Sequence, residues 1–183
     1  MDPSWAPFIA IGYAPSVNNV AHTDFSDKGG GSLALGASMQ HPISDGWGYT
    51  VGVAAFDTLG KADGDTNATS NLSVRTNDLG IKIDAGPVYD FRPDLCLALL
   101  PYVGVAWARF DYSGGANDSD DNGIALIYGL KLALHYKLDH GCKIGIYGGV
   151  EGTTSRMDSN SGSGKYTATG AGPVAGVSFG WMF

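Results

Sequence analysis

Residues 124–138 read IALIYGLKLALHYKL, with a large apolar side chain at every second position. One parity is entirely aliphatic or tyrosine: Ile124, Leu126, Tyr128, Leu130, Leu132, Leu134, Tyr136 and Leu138. The other parity carries Ala125, Ile127, Gly129, Lys131, Ala133, His135 and Lys137. A strand places two such sets on opposite faces, whereas a helix would scatter both around its circumference. The stretch therefore predicts a β-strand with one continuous apolar face.

The same two-residue period recurs along the chain. It predicts eight strands, near residues 5–16, 31–42, 47–57, 77–91, 96–111, 123–138, 142–153 and 168–183. Three connections are short (HPISDG, FRPDL and LDHG), and those between them are long and polar, such as DTLGKADGDTNATSNLSVRT at 57–76. An up-and-down meander of this kind closes into an antiparallel barrel, because closure leaves no free sheet edge. We expect one all-β domain over residues 1–183.

The chemistry of the two faces distinguishes a soluble barrel from a membrane barrel. An outer-membrane barrel carries its apolar band outside and has small or polar side chains in its lumen. Here the polar face is rich in glycine and poor in charge, since the chain holds 28 Gly and only 16% charged residues. Aromatic residues flank the aliphatic ladder as they do at membrane interfaces: Tyr89, Phe91, Trp107, Tyr128 and Tyr136. We therefore expect a transmembrane β-barrel with short periplasmic turns and four long extracellular loops.

Charge and hydropathy argue against other classes. A net charge of -7 without a basic stripe is unsuited to binding nucleic acid. No apolar run is long enough to predict a transmembrane helix. The first residues, MDPSWAPF, lack the basic start and apolar core of a secretory signal, which is the expectation for a mature chain with an added initiator Met.

Four short stretches resemble one family of bacterial proteins. The opening IAIGYAPSV, GPVYDF in the fourth strand, LPYVGVAWARF in the fifth and the final GVSFGWMF are similar to small eight-stranded outer-membrane barrels of the OmpX/Ail/Lom type. OmpW-like and opacity-type barrels are close alternatives, because GSLALGASMQ departs from the family's second strand. The resemblance implies a location in the bacterial outer membrane, among its lipid and lipopolysaccharide.

The resemblance also carries functional expectations. It implies a non-enzymatic barrel whose loops serve adhesion to host or extracellular-matrix proteins, surface protection or stress tolerance. It implies that the barrel assembly machinery reads an insertion signal in the last strand, formed by Val177, Phe179, Trp181 and Phe183. A small-solute or ion channel is the alternative function, and a lipid-modifying enzyme is a third.

Charged side chains on the small-residue face are expected inside the barrel. They are Lys82, Asp84, Lys131, His135, Lys137, Lys143 and Glu151. Lys82, Asp84 and Lys131 fall in mid-strand, so we expect them to meet in the lumen. Charges removed from bulk water must be paired or hydrated. A structural polar network is the first interpretation, because eight strands leave an interior that side chains just fill. An ion path is the alternative.

No further motif predicts catalysis, a metal or a cofactor. DSDDNG at 118–123 copies the first half of a calcium loop, but Gly129 occupies the position of the closing glutamate. Cys96 and Cys142 open the fifth and seventh strands and form a candidate disulfide pair. One strand separates them, which places them about 9.6 Å apart against the roughly 7 Å that a disulfide allows.

Overall fold

The computed structural model describes residues 3–20, 23–66, 70–114, 119–159 and 164–183. Its strands are β1 (Ser4–Ala14), β2 (Asn19–Val20), β3 (Thr23–Ser44), β4 (Trp47–Thr66), β5 (Ser70–Arg92), β6 (Leu95–Ser113), β7 (Ser119–Lys137), β8 (Cys142–Asp158) and β9 (Lys165–Trp181). From β3 to β9 each strand pairs antiparallel with the next, and β1 pairs with both β3 and β9. The eight long strands therefore close into the predicted up-and-down barrel, with two-residue β2 as an addition at one end.

Tight connections join the strands at one end, which we call the short-turn end. Asp45 and Gly46 link β3 to β4 with φ values of 49° and 82°. Both lie in the left-handed region that two-residue hairpin turns require. Pro93 and Asp94 link β5 to β6, and a single 3₁₀ turn, Asp139–Gly141, links β7 to β8.

At the opposite, long-loop end, the strands run further than the sequence pattern predicts. The predicted loop 57–76 is mostly strand, because β4 and β5 pair residue by residue from Trp47↔Tyr89 to Thr66↔Ser70. The prediction was wrong there because backbone hydrogen bonds hold a ladder together whatever the side chains are. The tip of that hairpin, residues 67–69, lies outside the described residues.

The outer surface carries a broad belt of apolar side chains. Ile81, Val105 and Val150 are 57%, 58% and 61% exposed. On β7 the belt runs from Ile124 to Tyr136, roughly 28 Å along the barrel axis at about 3.3 Å per residue and a tilt of about 45°. That matches the hydrocarbon core of a bilayer. Soluble monomers rarely expose apolar area of this extent, so the belt faces lipid.

Among the described residues, no α-helical segment has the length and hydropathy to traverse a bilayer.

Candidate functional site

The barrel wall changes polarity along its length. Beyond Leu79 on β5 and Trp107 on β6, outward side chains become charged instead of apolar. These residues form an outer collar: Lys61, Asp63, Arg75, Arg109, Asp111, Asp120, Arg156, Asp158 and Lys165. Ion pairs connect many of them, including Arg109 to Asp111 at 3.0 Å and Lys165 to Asp158 at 3.2 Å. The collar lies on the long-loop side of the lipid belt, in water.

Inside the collar the lumen is filled mainly by apolar side chains. The buried side chains there form an apolar plug: Val17, Val20, Phe25, Ala62, Val74, Ala108, Phe110, Met157 and Ala168. Val74 and Met157 are 0% exposed and Phe110 is 1% exposed. The strands thus continue above the membrane as a water-soluble barrel with a conventional core, and this core closes the lumen at the long-loop end.

The segment between β1 and β2 contributes to this closure. Pro15, Ser16 and Val17 leave the wall and are buried. The Ser16 backbone N–H donates to Asp27 Oδ1 at 3.1 Å, and its Oγ lies 3.4 Å from Thr76 Oγ1 on β5. A Cβ at Gly170 would overlap the Ser16 carbonyl oxygen. Glycine in β9 is therefore what lets the segment lie inside the barrel.

A tyrosine pair spans the top of the plug. The hydroxyls of Tyr112 and Tyr166 lie 2.5 Å apart, and Tyr166 donates to Asp121 Oδ2 at 2.7 Å. The contacts tie β6, β9 and β7 together. Burial raises the pKa of Tyr112 to about 12 and raises the pKa of Tyr166 well above its ordinary value. Both hydroxyls are therefore protonated at neutral pH and can donate hydrogen bonds.

The lumen next to the lipid belt holds the mid-strand charges named from the sequence. Lys131 Nζ lies 3.3 Å from Asp84 Oδ2, with both side chains 14% or less exposed. Lys82 Nζ lies 5.0 Å from the centroid of the Phe56 ring. Glu151 accepts a 2.8 Å hydrogen bond from the hydroxyl of Tyr102. The structure thus brings Lys82, Asp84, Lys131 and Glu151 into one part of the lumen.

Tyr102 is a residue of this cluster that sequence reasoning missed. Its ring centroid lies 5.7 Å from Lys82 Nζ and 4.8 Å from Lys131 Nζ, within cation–π distance of both. A signal was available, since Tyr102 shares its parity with Gly104 and Ala106 on the inward face.

The remaining predicted residues lie towards the short-turn end. Lys137 pairs with Asp90 at 3.5 Å. His135 stands opposite Cys96 in the ladder, and among the described atoms its Nδ1 has no hydrogen-bond partner. Cys96 and Cys142 are both free thiols, so the candidate disulfide is not formed. Cys96 pairs with β7 and Cys142 with β9, and β7 stands between them.

The acidic run at 118–123 does not form an ion site in the described chain. Asp118 lies outside the described residues. Asp120 is exposed beside Arg109, whereas Asp121 is buried beside Tyr166. The two carboxylates thus point to opposite faces of β7, and within the described ranges no group of three metal-ligating side chains occurs.

Aromatic side chains mark both edges of the lipid belt. At the short-turn end Tyr89 packs against Trp47 and Phe91, with centroids 4.9 and 5.0 Å apart. Tyr136 lies on the same side, and at the long-loop side Trp107 and Tyr128 are 60% and 49% exposed. This is the girdle arrangement of membrane barrels.

The final strand closes the barrel wall. Val177, Trp181 and Phe183 are 50%, 47% and 85% exposed on the outer face. The Phe179 and Trp181 rings pack edge to face at 4.6 Å. The Phe183 backbone N–H donates to the Trp5 carbonyl at 2.8 Å, and the Trp5 N–H donates back at 3.3 Å. The last residue is therefore hydrogen-bonded to the first strand.

The sequence matches no family model and no curated protein. Among solved structures, a major outer membrane protein from Thermus thermophilus is similar over 100% of both chains, with a TM-score of 0.60 and 12% identity. Ail, the attachment invasion locus protein of Yersinia pestis, is similar over 100% of both chains, with a TM-score of 0.47 and 17% identity. OprG from Pseudomonas aeruginosa has a TM-score of 0.45 and 13% identity, over 99% of this chain and 95% of that one. The likeness to the Thermus protein shows the fold, which is that of a bacterial outer-membrane β-barrel.

Proposed function

We propose that this chain is a non-enzymatic outer-membrane barrel that presents its collar and long connections at the cell surface, for adhesion, surface protection or stress tolerance. The observation that carries the proposal is the apolar plug, in which Val74, Phe110 and Met157 are essentially unexposed. A barrel closed at this end is suited to be a rigid support for a surface rather than a conduit.

The collar supports the same proposal. The strands extend beyond the lipid belt in the collar, and their outward side chains there carry both positive and negative charges. Some of these charges are paired, such as Lys61 with Asp63 at 3.3 Å. In this proposal the collar meets the headgroups of outer-membrane lipid and lipopolysaccharide, the final strand is read by the barrel assembly machinery, and the tips contact host or extracellular-matrix proteins. Loops on a rigid scaffold are where such contacts are normally made.

Adhesion assays with tip variants test this function. Cells producing the protein would be measured for binding to immobilised matrix and serum proteins and for survival in serum. Variants replace residues 67–69, 115–118 or 160–163 by a short Gly-Ser linker, and the matched control alters Ser44 at the short-turn end. We expect a gain over vector-only cells that at least one tip variant removes and the control keeps. Identical behaviour of producing and vector-only cells would contradict the proposal.

The channel alternative is tested separately in planar bilayers. The plug predicts that the refolded barrel gives no discrete conductance above background. Regular single-channel steps in the parent that a Lys131 substitution alters would contradict the surface-support function and would indicate that the barrel is a pore.

A further inference from the structure

The hydrogen-bonded wall of the barrel has a gap between β5 and β6. Asp84 pairs with Tyr102, and further along the same two strands Val88 pairs with Ala98. Within the described stretch 70–114, the three residues between these pairs on each strand form no bridge across the seam, although the register is the same on both sides of the gap. The neighbouring ladders, β4 with β5 and β6 with β7, run through the same positions without a break.

Two prolines account for the gap. In this register Ala85 stands opposite Pro101, and Pro87 stands opposite Leu99. Alternate partners in an antiparallel ladder exchange two N–H···O bonds, and proline has no N–H to donate. Because the ladders to β4 and β7 are intact, both missing donors belong to the β5–β6 seam, and the carbonyls of Ala85 and Leu99 receive no hydrogen bond across it. We call the unpaired residues the proline seam: 85–87 and 99–101.

The proline seam separates the lipid belt from a cavity in the lumen. On the outside, Ile83 and Leu99 are exposed among the lipid-facing side chains. On the inside, the cavity has a volume of about 90 Å³, whereas one buried water needs roughly 10–15 Å³ by a comparable measure. Lys131 and Asp84 give it a polar lining that suits water. Four lining residues come from the seam and its edges: Asp84, Val88, Ala98 and Leu100.

The seam is closed in this structure but is weakly bonded. A Cβ at Gly86 would overlap the Leu99 carbonyl oxygen, just as one at Gly80 would overlap that of Val105 in the paired part of the ladder, so the two strands remain in contact. The N–H groups of Ala85 and Leu99 are the donors that remain at the seam. A carbonyl without a donor is costly in hydrocarbon. Separation of the strands here therefore breaks fewer hydrogen bonds than in an unbroken ladder and opens both carbonyls to water from the cavity.

We propose that the barrel wall opens locally along the proline seam while the neighbouring ladders stay paired, and that water from the cavity reaches the Ala85 and Leu99 backbone during these openings. Local openings of this kind concentrate where backbone hydrogen bonds are few. The proposal is independent of the surface function above, because the seam lies in the lipid belt and the plug stays intact.

Hydrogen–deuterium exchange of the full chain, refolded in detergent and followed amide by amide by NMR, tests the proposal. The reporting amides are those of Ala85 and Leu99. The reference amide is that of Leu132, which faces Leu99 across the β6–β7 ladder and lies between two unbroken ladders. After correction for intrinsic rates, we expect the reporting amides to exchange about tenfold faster than the reference, since two lost hydrogen bonds together correspond to about that change in an opening equilibrium.

The P87V/P101V double variant returns both donors and keeps apolar side chains towards lipid. It should slow exchange of the two reporting amides about tenfold and leave the Leu132 amide unchanged. The matched control is P7V, because Pro7 is also an exposed strand proline but lies on β1, in an unbroken ladder with β3. It should leave both reporting amides as they are in the parent.

Heat-modifiable gel migration establishes that each variant has folded. Where P87V/P101V does not refold, the single variants P87V and P101V replace it, and each should slow the reporting amides. Equal protection of Ala85, Leu99 and Leu132 in the parent would overturn the proposal. Exchange that the restored donors do not slow, or that P7V slows as much, would also overturn it, since the openings would then not arise at the seam.

Discussion

Val74 and Ile83 lie on the same strand, β5, and face opposite sides of the barrel: Val74 is 0% exposed in the plug, whereas Ile83 is 54% exposed in the lipid belt. Their positions in the strand have opposite parity, so the apolar face changes from outward to inward between them. The switch marks where the wall leaves lipid and enters water, and the predictions for Phe110 and Tyr112 rest on it.

Replacing Phe110 by alanine tests the plug as a folding core. Truncation of a fully buried Phe is expected to lower the free energy of unfolding by about 3–5 kcal/mol. Urea unfolding of the barrel in detergent, followed by tryptophan fluorescence, measures the change. The matched control is F91A, at an outward residue that is 53% exposed, where the loss should be smaller. Equal losses in the two variants would argue against a plug.

The Lys131–Asp84 pair is expected to stabilise the lumen. K131M leaves Asp84 in the interior without its partner, and we expect a loss of about 1.5–3 kcal/mol, the range for hydrogen bonds to charged groups. The control is K61M, since the Lys61–Asp63 pair is 52% and 42% exposed and such pairs contribute about 0–1 kcal/mol. Equilibrium unfolding reports both, and a K131M barrel as stable as K61M would contradict the role assigned to the pair.

Alkaline pH should act on the tyrosine pair. Burial raises the pKa of Tyr112 to about 12, above its ordinary value near 10. The stabilisation linked to this group is fully present below pH 10 and is lost as the pH rises from about 10 to about 12. Unfolding curves at pH 8 and pH 11 should show a larger loss in the parent than in Y112F. If Y112F loses as much stability as the parent between pH 8 and pH 11, the alkaline effect does not come from the Tyr112 hydroxyl.

Deletion of Phe183 is expected to separate assembly in cells from intrinsic folding. The side chain is 85% exposed, so deletion of the residue removes little packing, and its main cost to the folded barrel is the two backbone hydrogen bonds with Trp5 at the end of the wall. We expect the deleted chain to refold in detergent nearly as well as the parent and to reach the outer membrane poorly. Membrane fractionation measures the second effect, with F183Y as the control that keeps an aromatic end. If the deletion impairs refolding in detergent as much as it impairs delivery to the outer membrane in cells, Phe183 does not act as a signal read during assembly.

The sequence allowed the eight-stranded barrel and the lipid-facing set to be predicted, because stretches such as Ile124–Tyr136 keep one apolar parity across the membrane. That prediction is confirmed by the closed sheet. The strand extensions were missed because Lys61 and Arg75 alternate with small or apolar residues, Ala62 and Val74, in a pattern resembling a polar loop. The plug was missed for a further reason. Its members come from segments far apart in the sequence, and only the strand register brings them together.

The lumen was partly predictable. Inward parity identifies Lys82, Asp84 and Lys131. It does not say whether Lys131 pairs with Asp84 or with Glu151, because that choice depends on the stagger of the strands and on the hydrogen bond that Tyr102 donates to Glu151. The inward course of Pro15–Val17 depends on space at Gly170, a long-range contact that local pattern does not encode.

Gel migration before and after boiling tests the central claim, a closed transmembrane barrel, most directly. Chain refolded in detergent, and chain extracted from membranes, would be run with and without heating. We expect the unheated barrel to resist the gel detergent and migrate differently from the boiled chain, with the difference abolished in urea. Identical migration of heated and unheated samples, together with a monomer that stays soluble in detergent-free buffer, would contradict the account.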